Sequence, residues 1–85
     1  MAYELIYTKN ALRDIKKLDR VAQKRLAKSL ERLAQKPFSY AQKLILPQLG
    51  GYRFRIGNYR VIFDIEDKKI IVLRIGHRRE IYKLP

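Results

Sequence analysis

The sequence has no cysteine, which excludes disulfide staples, thiolate nucleophiles and cysteine-based zinc sites. It has one histidine, His77, too few for a histidine-based metal centre. Glycine and proline number only four and three, which excludes collagen-like and proline-rich low-complexity chains. No apolar run approaches the roughly 20 residues of a membrane helix, and the first ten residues lack the basic start and long apolar stretch of a secretory signal. No metal, no cofactor and no membrane are expected, and the cytoplasm is the expected compartment.

Acidic residues are also scarce. Eight Asp and Glu stand against twenty Lys and Arg, a net charge of +12 on 85 residues. So large an excess on so small a surface attracts polyanions, either nucleic acid or an acidic protein. The bland alternative is that the charge serves solubility alone. With 47% hydrophobic residues, six Tyr and three Phe, the composition is that of a globular chain, and its length suits one domain over residues 1–85.

Residues Tyr3 to Thr8 are rich in aromatic and β-branched side chains and read as a strand, with Thr8 or Asn10 as the cap of a following helix. Ala11, Ile15 and Leu18 recur at helical spacing. Asp19 offers a second cap before Ala22, Leu26, Leu30 and Leu33 repeat the pattern, so two helices joined tightly at Leu18 to Arg20 are predicted. From Gln35 to Gly51 the pattern breaks at Pro37, Pro47 and Gly50-Gly51, and the stretch reads as a connecting loop anchored by Leu44, Leu46 and Leu49.

Beyond Gly51 the period becomes two. Tyr52, Phe54 and Ile56 alternate with Arg53 and Arg55, and Tyr59, Val61, Phe63 and Ile65 alternate with Arg60, Ile62 and Asp64. Gly57-Asn58 between them is a two-residue hairpin signal. After Asp67-Lys68 the run from Ile70 to Ile75 is nearly continuous in apolar residues, as in a strand covered on both faces, and the facing of Arg74 stays open. The predicted fold is α+β, a β-α-α-β-β-β two-layer domain with the two N-terminal helices packed on one face of a mainly antiparallel sheet.

The hairpin turn sorts the side chains. If Gly57-Asn58 is the turn, Ile56 opposes Tyr59, Arg55 opposes Arg60, Phe54 opposes Val61 and Arg53 opposes Ile62. One face then carries Tyr52, Phe54, Ile56, Tyr59, Val61 and Phe63, a core under the helices. The other carries Arg53, Arg55 and Arg60. Like charges directly across strands destabilise a sheet unless an anion relieves them, so folding alone would not select this arrangement. The competing reading has these arginines lying over a solvated sheet and pairing with Asp64 and Glu66. Residues 9–43 hold eleven basic and three acidic side chains, against eight and four in residues 52–82. The helices are the broad polyanion-attracting surface and the sheet the local anion site, which suits a ligand larger than a metabolite.

Tyr52-Arg53-Phe54-Arg55-Ile56, Asn58-Tyr59-Arg60-Val61 and Gly76-His77-Arg78-Arg79-Glu80-Ile81-Tyr82, with Lys43-Leu44 ahead of them, resemble the RelE/ParE toxin superfamily in its RelE-like branch. The resemblance covers nearly the whole chain and is most specific in its C-terminal half. It implies a toxin of a type II toxin-antitoxin system, a ribosome-dependent endoribonuclease that cuts mRNA in the decoding site and so inhibits translation. By similarity, Arg53, Arg55, Arg60, Arg78 and Tyr82 fall on the positive and aromatic positions of the active site, with the ribosome, mRNA and an acidic antitoxin as partners. Arg60 and Arg78 are the expected phosphate and transition-state contacts, since planar guanidinium donors match phosphate oxygens. Arg53 and Arg55 stand where relatives often have lysine, and an arginine is a poor general base. His77 is a candidate acid or base by residue type, or else a structural residue, and Tyr82 either stacks on a base or packs down the chain end. Two other functions fit the same fold and charge: a non-enzymatic DNA gyrase inhibitor of the ParE type, and a basic nucleic-acid-binding module without turnover.

Overall fold

A computed structural model of the chain describes residues 2–43 and 51–81. Strand β1, Glu4–Tyr7, leads into helix α1, Lys9–Lys16, through Thr8. The Thr8 hydroxyl accepts from the Ala11 N–H at 3.1 Å and donates to the Leu73 carbonyl at 2.9 Å, so the helix cap is also a tie to the last strand. Helix α2, Arg20–Gln35, starts at Asp19, whose Oδ1 accepts from the Ala22 N–H at 2.7 Å. Between the helices, Gln23 Nε2 donates to the carbonyls of Ile15 at 2.8 Å and Leu18 at 3.1 Å, tying the start of α2 to the end of α1.

The segment after Gln35 corrects the loop expectation. Pro37 does not end regular structure; it opens the short helix α3, Pro37–Tyr40, because its fixed φ suits a first helical turn where its missing N–H is not needed. Strand β2, Gln42–Lys43, follows. Leu44, Leu46, Pro47, Leu49 and Gly50 lie outside the described residues. Strands β3, Tyr52–Ile56, β4, Tyr59–Glu66, and β5, Lys69–His77, complete a sheet of order β1-β5-β4-β3-β2. The pairing is antiparallel except for β1 against β5, which is parallel. The architecture is the expected α+β arrangement enlarged by α3 and β2.

The helices cover one face of the sheet. Leu26, Leu30 and Leu33 of α2 meet Phe54, Ile56, Val61, Phe63, Ile70, Val72 and Ile75 in one cluster, with Ala11 and Ile15 of α1 at its side. Each large side chain withdrawn from water here contributes about 1.5–3 kcal/mol before conformational entropy is counted. In β5, Ile70, Val72 and Ile75 are buried whereas Ile71 and Leu73 are half-exposed, so the strand is fully covered on one face only. No helix among the described residues is long and apolar enough to cross a membrane.

Candidate active site

The hairpin β3–β4 has the register its turn requires: Ile56 opposes Tyr59, Arg55 opposes Arg60, Phe54 opposes Val61 and Arg53 opposes Ile62. Gly57 adopts φ +58, the left-handed value that a first turn position of this kind favours. Because alternate residues share a face and Phe54, Ile56 and Val61 lie in the core, Arg53, Arg55 and Arg60 all belong to the face turned away from the helices.

Each of the three is placed differently. Arg53 Nε donates to Gln42 Oε1 at 3.1 Å across the β2–β3 pair. Arg60 curls back over its own turn, its Nη1 donating to the Gly57 carbonyl at 3.2 Å and the Tyr59 carbonyl at 3.0 Å. Arg55 is exposed, directly opposite Arg60. Asp64, on the same face, accepts from the Gly51 N–H at 2.6 Å through Oδ1.

The last strand delivers Arg78 to this corner. Arg60 opposes Gly76, and the Arg78 N–H donates to the Asn58 carbonyl at 2.7 Å, which fixes the exposed Arg78 beside the hairpin turn. Gly76 is closely approached: a Cβ there would lie 3.1 Å from Ile81 Cδ1. Ile62, on the arginine face, is fully buried yet stands outside the helix-side cluster, as does Ile81, so an apolar side chain is covered on this face too. The period-two pattern hides it, because Ile62 sits in an otherwise polar row. The only sequence signal is Ile62 itself.

His77 lies on the sheet face opposite Arg53, Arg55 and Arg60. It opposes Tyr59 on the helix-side face, its ring 6.0 Å from the Tyr59 ring in an edge-on arrangement, and its Nδ1 accepts from the Arg79 N–H at 3.2 Å. Tyr82 lies outside the described residues. Arg74, whose facing the sequence leaves open, follows a register shift in which Phe63 opposes Val72 but Ile62 opposes Arg74, so Leu73 is the extra residue of a bulge. Its guanidinium pairs with Asp14 of α1. Among the described residues, no group of three His, Asp or Glu is placed to hold a metal ion.

Chemically, three arginines on one sheet face, with a fourth anchored at the turn beside them, make a cationic surface whose planar donors match phosphate oxygens. Among the described residues no carboxylate pairs with Arg55. The sequence matches the family described as ParE toxin of type II toxin-antitoxin system, parDE, over residues 5–82. It is 29% identical over 86 residues to Toxin RelG of Mycobacterium tuberculosis, covering 98% of this chain and 99% of that protein. It is 30% identical over 87 residues to the mRNA interferase toxin RelE of Escherichia coli, covering 96% of this chain and 92% of that protein. The fold superposes with a TM-score of 0.82 and 26% identity on a chain of the Mycobacterium tuberculosis toxin-antitoxin complex RelBE2, covering 92% of this chain and 100% of that one.

Proposed function

The chain belongs to the ParE toxin family of type II toxin-antitoxin systems, in its RelE-like branch, and from that premise we propose that it is an endoribonuclease that cuts mRNA in the ribosomal decoding site. The observation that carries the reading is the direct opposition of Arg55 and Arg60 beside Arg53 on a sheet face. That placement costs the fold stability unless an anion occupies it.

In the proposed reaction a ribose 2′-oxygen attacks the adjacent phosphorus as its P–O5′ bond breaks. The products are a 2′,3′-cyclic phosphate and a free 5′-hydroxyl, the 2′-OH proton leaving to a base and the 5′-oxygen taking one up. Negative charge builds on the phosphoryl oxygens, and fixed guanidinium groups lower its energy without a metal. Arg60, held by the Gly57 and Tyr59 carbonyls, and Arg78, held at Asn58, are assigned to these oxygens, with Arg53 and Arg55 along the backbone of the message. Tyr82 is assigned to stacking on a base. His77, turned to Tyr59 and bonded to the Arg79 N–H, is assigned to shaping the turn that carries Arg78. The protein acts in the cytoplasm and is held in check by an acidic antitoxin, whose charge complements the net +12.

Ribosomes programmed with a defined mRNA, incubated with the protein and mapped by primer extension, test this directly. New 5′ ends in the decoding site, lost in Arg60→Ala and Arg78→Ala, are expected. The second reading, gyrase inhibition without turnover, is favoured by the ParE description of the matching family. Intact message together with lost DNA supercoiling would replace the first reading by the second.

A further inference from the structure

A second cationic feature lies on the other side of the hairpin. Between α2 and the outer edge of β3 runs a groove of about 450 Å³, lined among others by Arg25, Lys28, Arg32 and Tyr40. Three cations of α2 line it, Arg55 borders it at the β3 edge with its side chain on the other sheet face, and no carboxylate lines it among the described residues. Arg25, Lys28 and Arg32 are exposed and recur at helical spacing, so they form one row along α2 about 10 Å long at 1.5 Å per residue. Tyr40 is 40% exposed, yet its ring is held 5.9 Å from the Phe54 ring. It is a fixed aromatic platform beside a row of positive charge.

The groove connects to the arginine face through the turn. The Arg25 guanidinium lies against Gly57, its nitrogens 3.1 Å from where a Cβ would stand, while the carbonyl of the same Gly57 accepts from Arg60. Arg55 borders the groove and opposes Arg60. Positive charge is thus continuous from the sheet face across the hairpin tip to α2.

We infer that this groove is a binding site for single-stranded RNA, one that takes the strand outside the cut phosphate, with Tyr40 stacking on a base and Arg25, Lys28 and Arg32 on backbone phosphates; the polymer's identity rests on the proposed reading as a ribonuclease. The combination of a cationic track and a presented aromatic ring is the chemistry of sequence-tolerant single-strand binding. An acidic peptide adding a strand to the sheet fits less well. β2 already occupies the edge of β3 at Tyr52 and Arg53, and of Phe54 to Ile56 only alternate residues turn their backbone groups outward.

The test is fluorescence anisotropy of the full chain with a labelled 2′-O-methyl oligoribonucleotide, which binds but cannot be cut, across a range of salt. The variant Arg25→Gln/Lys28→Gln/Arg32→Gln should bind at least about tenfold more weakly, and its slope of log Kd against log salt should fall by about 2, at roughly 0.7 per single-strand phosphate contact. Tyr40→Ala should weaken binding by roughly tenfold with the slope unchanged, and Tyr40→Phe should restore it. Thermal melts confirm that each variant is folded. Wild-type affinity and slope in the triple variant would overturn the inference, as would retention of RNA binding with loss of antitoxin binding only. The two readings separate cleanly. A protein that cuts no message yet binds RNA through these side chains keeps the groove and loses the cleavage reading; cleavage that depends on Arg60, with the triple variant binding as wild type, does the reverse.

Discussion

Asp14 of α1 and Arg74 of β5, sixty residues apart in sequence, form a two-point ion pair, Nε to Oδ2 at 2.9 Å and Nη2 to Oδ1 at 3.2 Å. The same Oδ2 accepts from the Ile75 backbone N–H at 2.9 Å. β1 pairs with β5 only as far as Val72, so beyond that point Asp14 serves the edge of β5 in place of a neighbouring strand. Asp14→Ala leaves a guanidinium and a buried N–H without their acceptor. The Asp14 side chain is 8% exposed and that of Arg74 22%, so the cost should fall at the low end for a broken buried pair, about 3 kcal/mol. Asp14→Asn, which keeps an acceptor oxygen for Ile75, should lose clearly less. Urea unfolding of both variants measures this, and an Asp14→Ala midpoint equal to wild type would remove the pair from any account of stability.

The Arg55–Arg60 opposition makes a prediction in which stability and activity move apart. Replacing Arg55 by Thr removes a like charge from the position directly opposite Arg60 and adds a good strand former, so the variant should be more stable by roughly 0.5 kcal/mol. Cleavage of ribosome-bound message should fall at the same time. Added inorganic phosphate should raise the melting temperature of the wild type more than that of Arg55→Thr, because it supplies the anion the pair calls for. Equal phosphate responses in the two proteins would show that the pair is no anion site.

Which parts of the fold and site are legible in the sequence follows from how local each interaction is. Thr8 and Asp19 announce their helices because a cap lies within three residues of the N–H it serves. The register of β3 on β4 follows from two turn residues, so the shared face of Arg53, Arg55 and Arg60 can be read from the turn alone. The β4–β5 register cannot: the bulge at Leu73 shifts alternation by one, and nothing in the apolar run from Ile70 to Ile75 marks it. For the same reason the placement of His77 opposite Tyr59, on the other face from Arg53, Arg55 and Arg60, stays hidden. Likewise, the parallel pairing of β1 with β5 and the Asp14–Arg74 pair join distant segments and leave no periodic trace. Between Gln35 and Gly51, α3 and β2 are too short for a period to show.

Gly76 and Ile81 bracket the turn that carries Arg78, and their contact should control the site. Gly76→Ala places a Cβ 3.1 Å from Ile81 Cδ1, and Ile81 is fully buried, so its side chain must give by a few tenths of an ångström at a cost of about 1 kcal/mol. The turn moves with it, because Arg78 is tied to Asn58 and the Glu80 N–H to the His77 carbonyl within these bounds. Message cleavage should therefore fall in the folded protein. Adding Ile81→Val, which shortens the obstructing side chain, should recover both stability and cleavage beyond the sum of the single changes. Strict additivity would mean that the two residues do not share the strain.

At alkaline pH the fold should loosen through Tyr7. Burial is the main cause that raises its phenol above the ordinary value of 10.0, and the negative charge of Glu31 adds to it. A raised value means the fold favours the neutral phenol, whereas the unfolded chain releases that proton from about pH 10 upward. Folding is therefore supported in full below that point, and support drains away as pH climbs through the folded value. Tyr7→Phe has no proton to lose, so its unfolding free energy should decline less steeply than that of the wild type above about pH 10. Glu31→Gln should flatten the decline only in part, because it removes the smaller cause and leaves burial in place. Tyrosinate absorbance recorded beside unfolding curves checks the assignment: the late-ionising fraction should vanish in Tyr7→Phe, and its persistence would place that proton on another tyrosine.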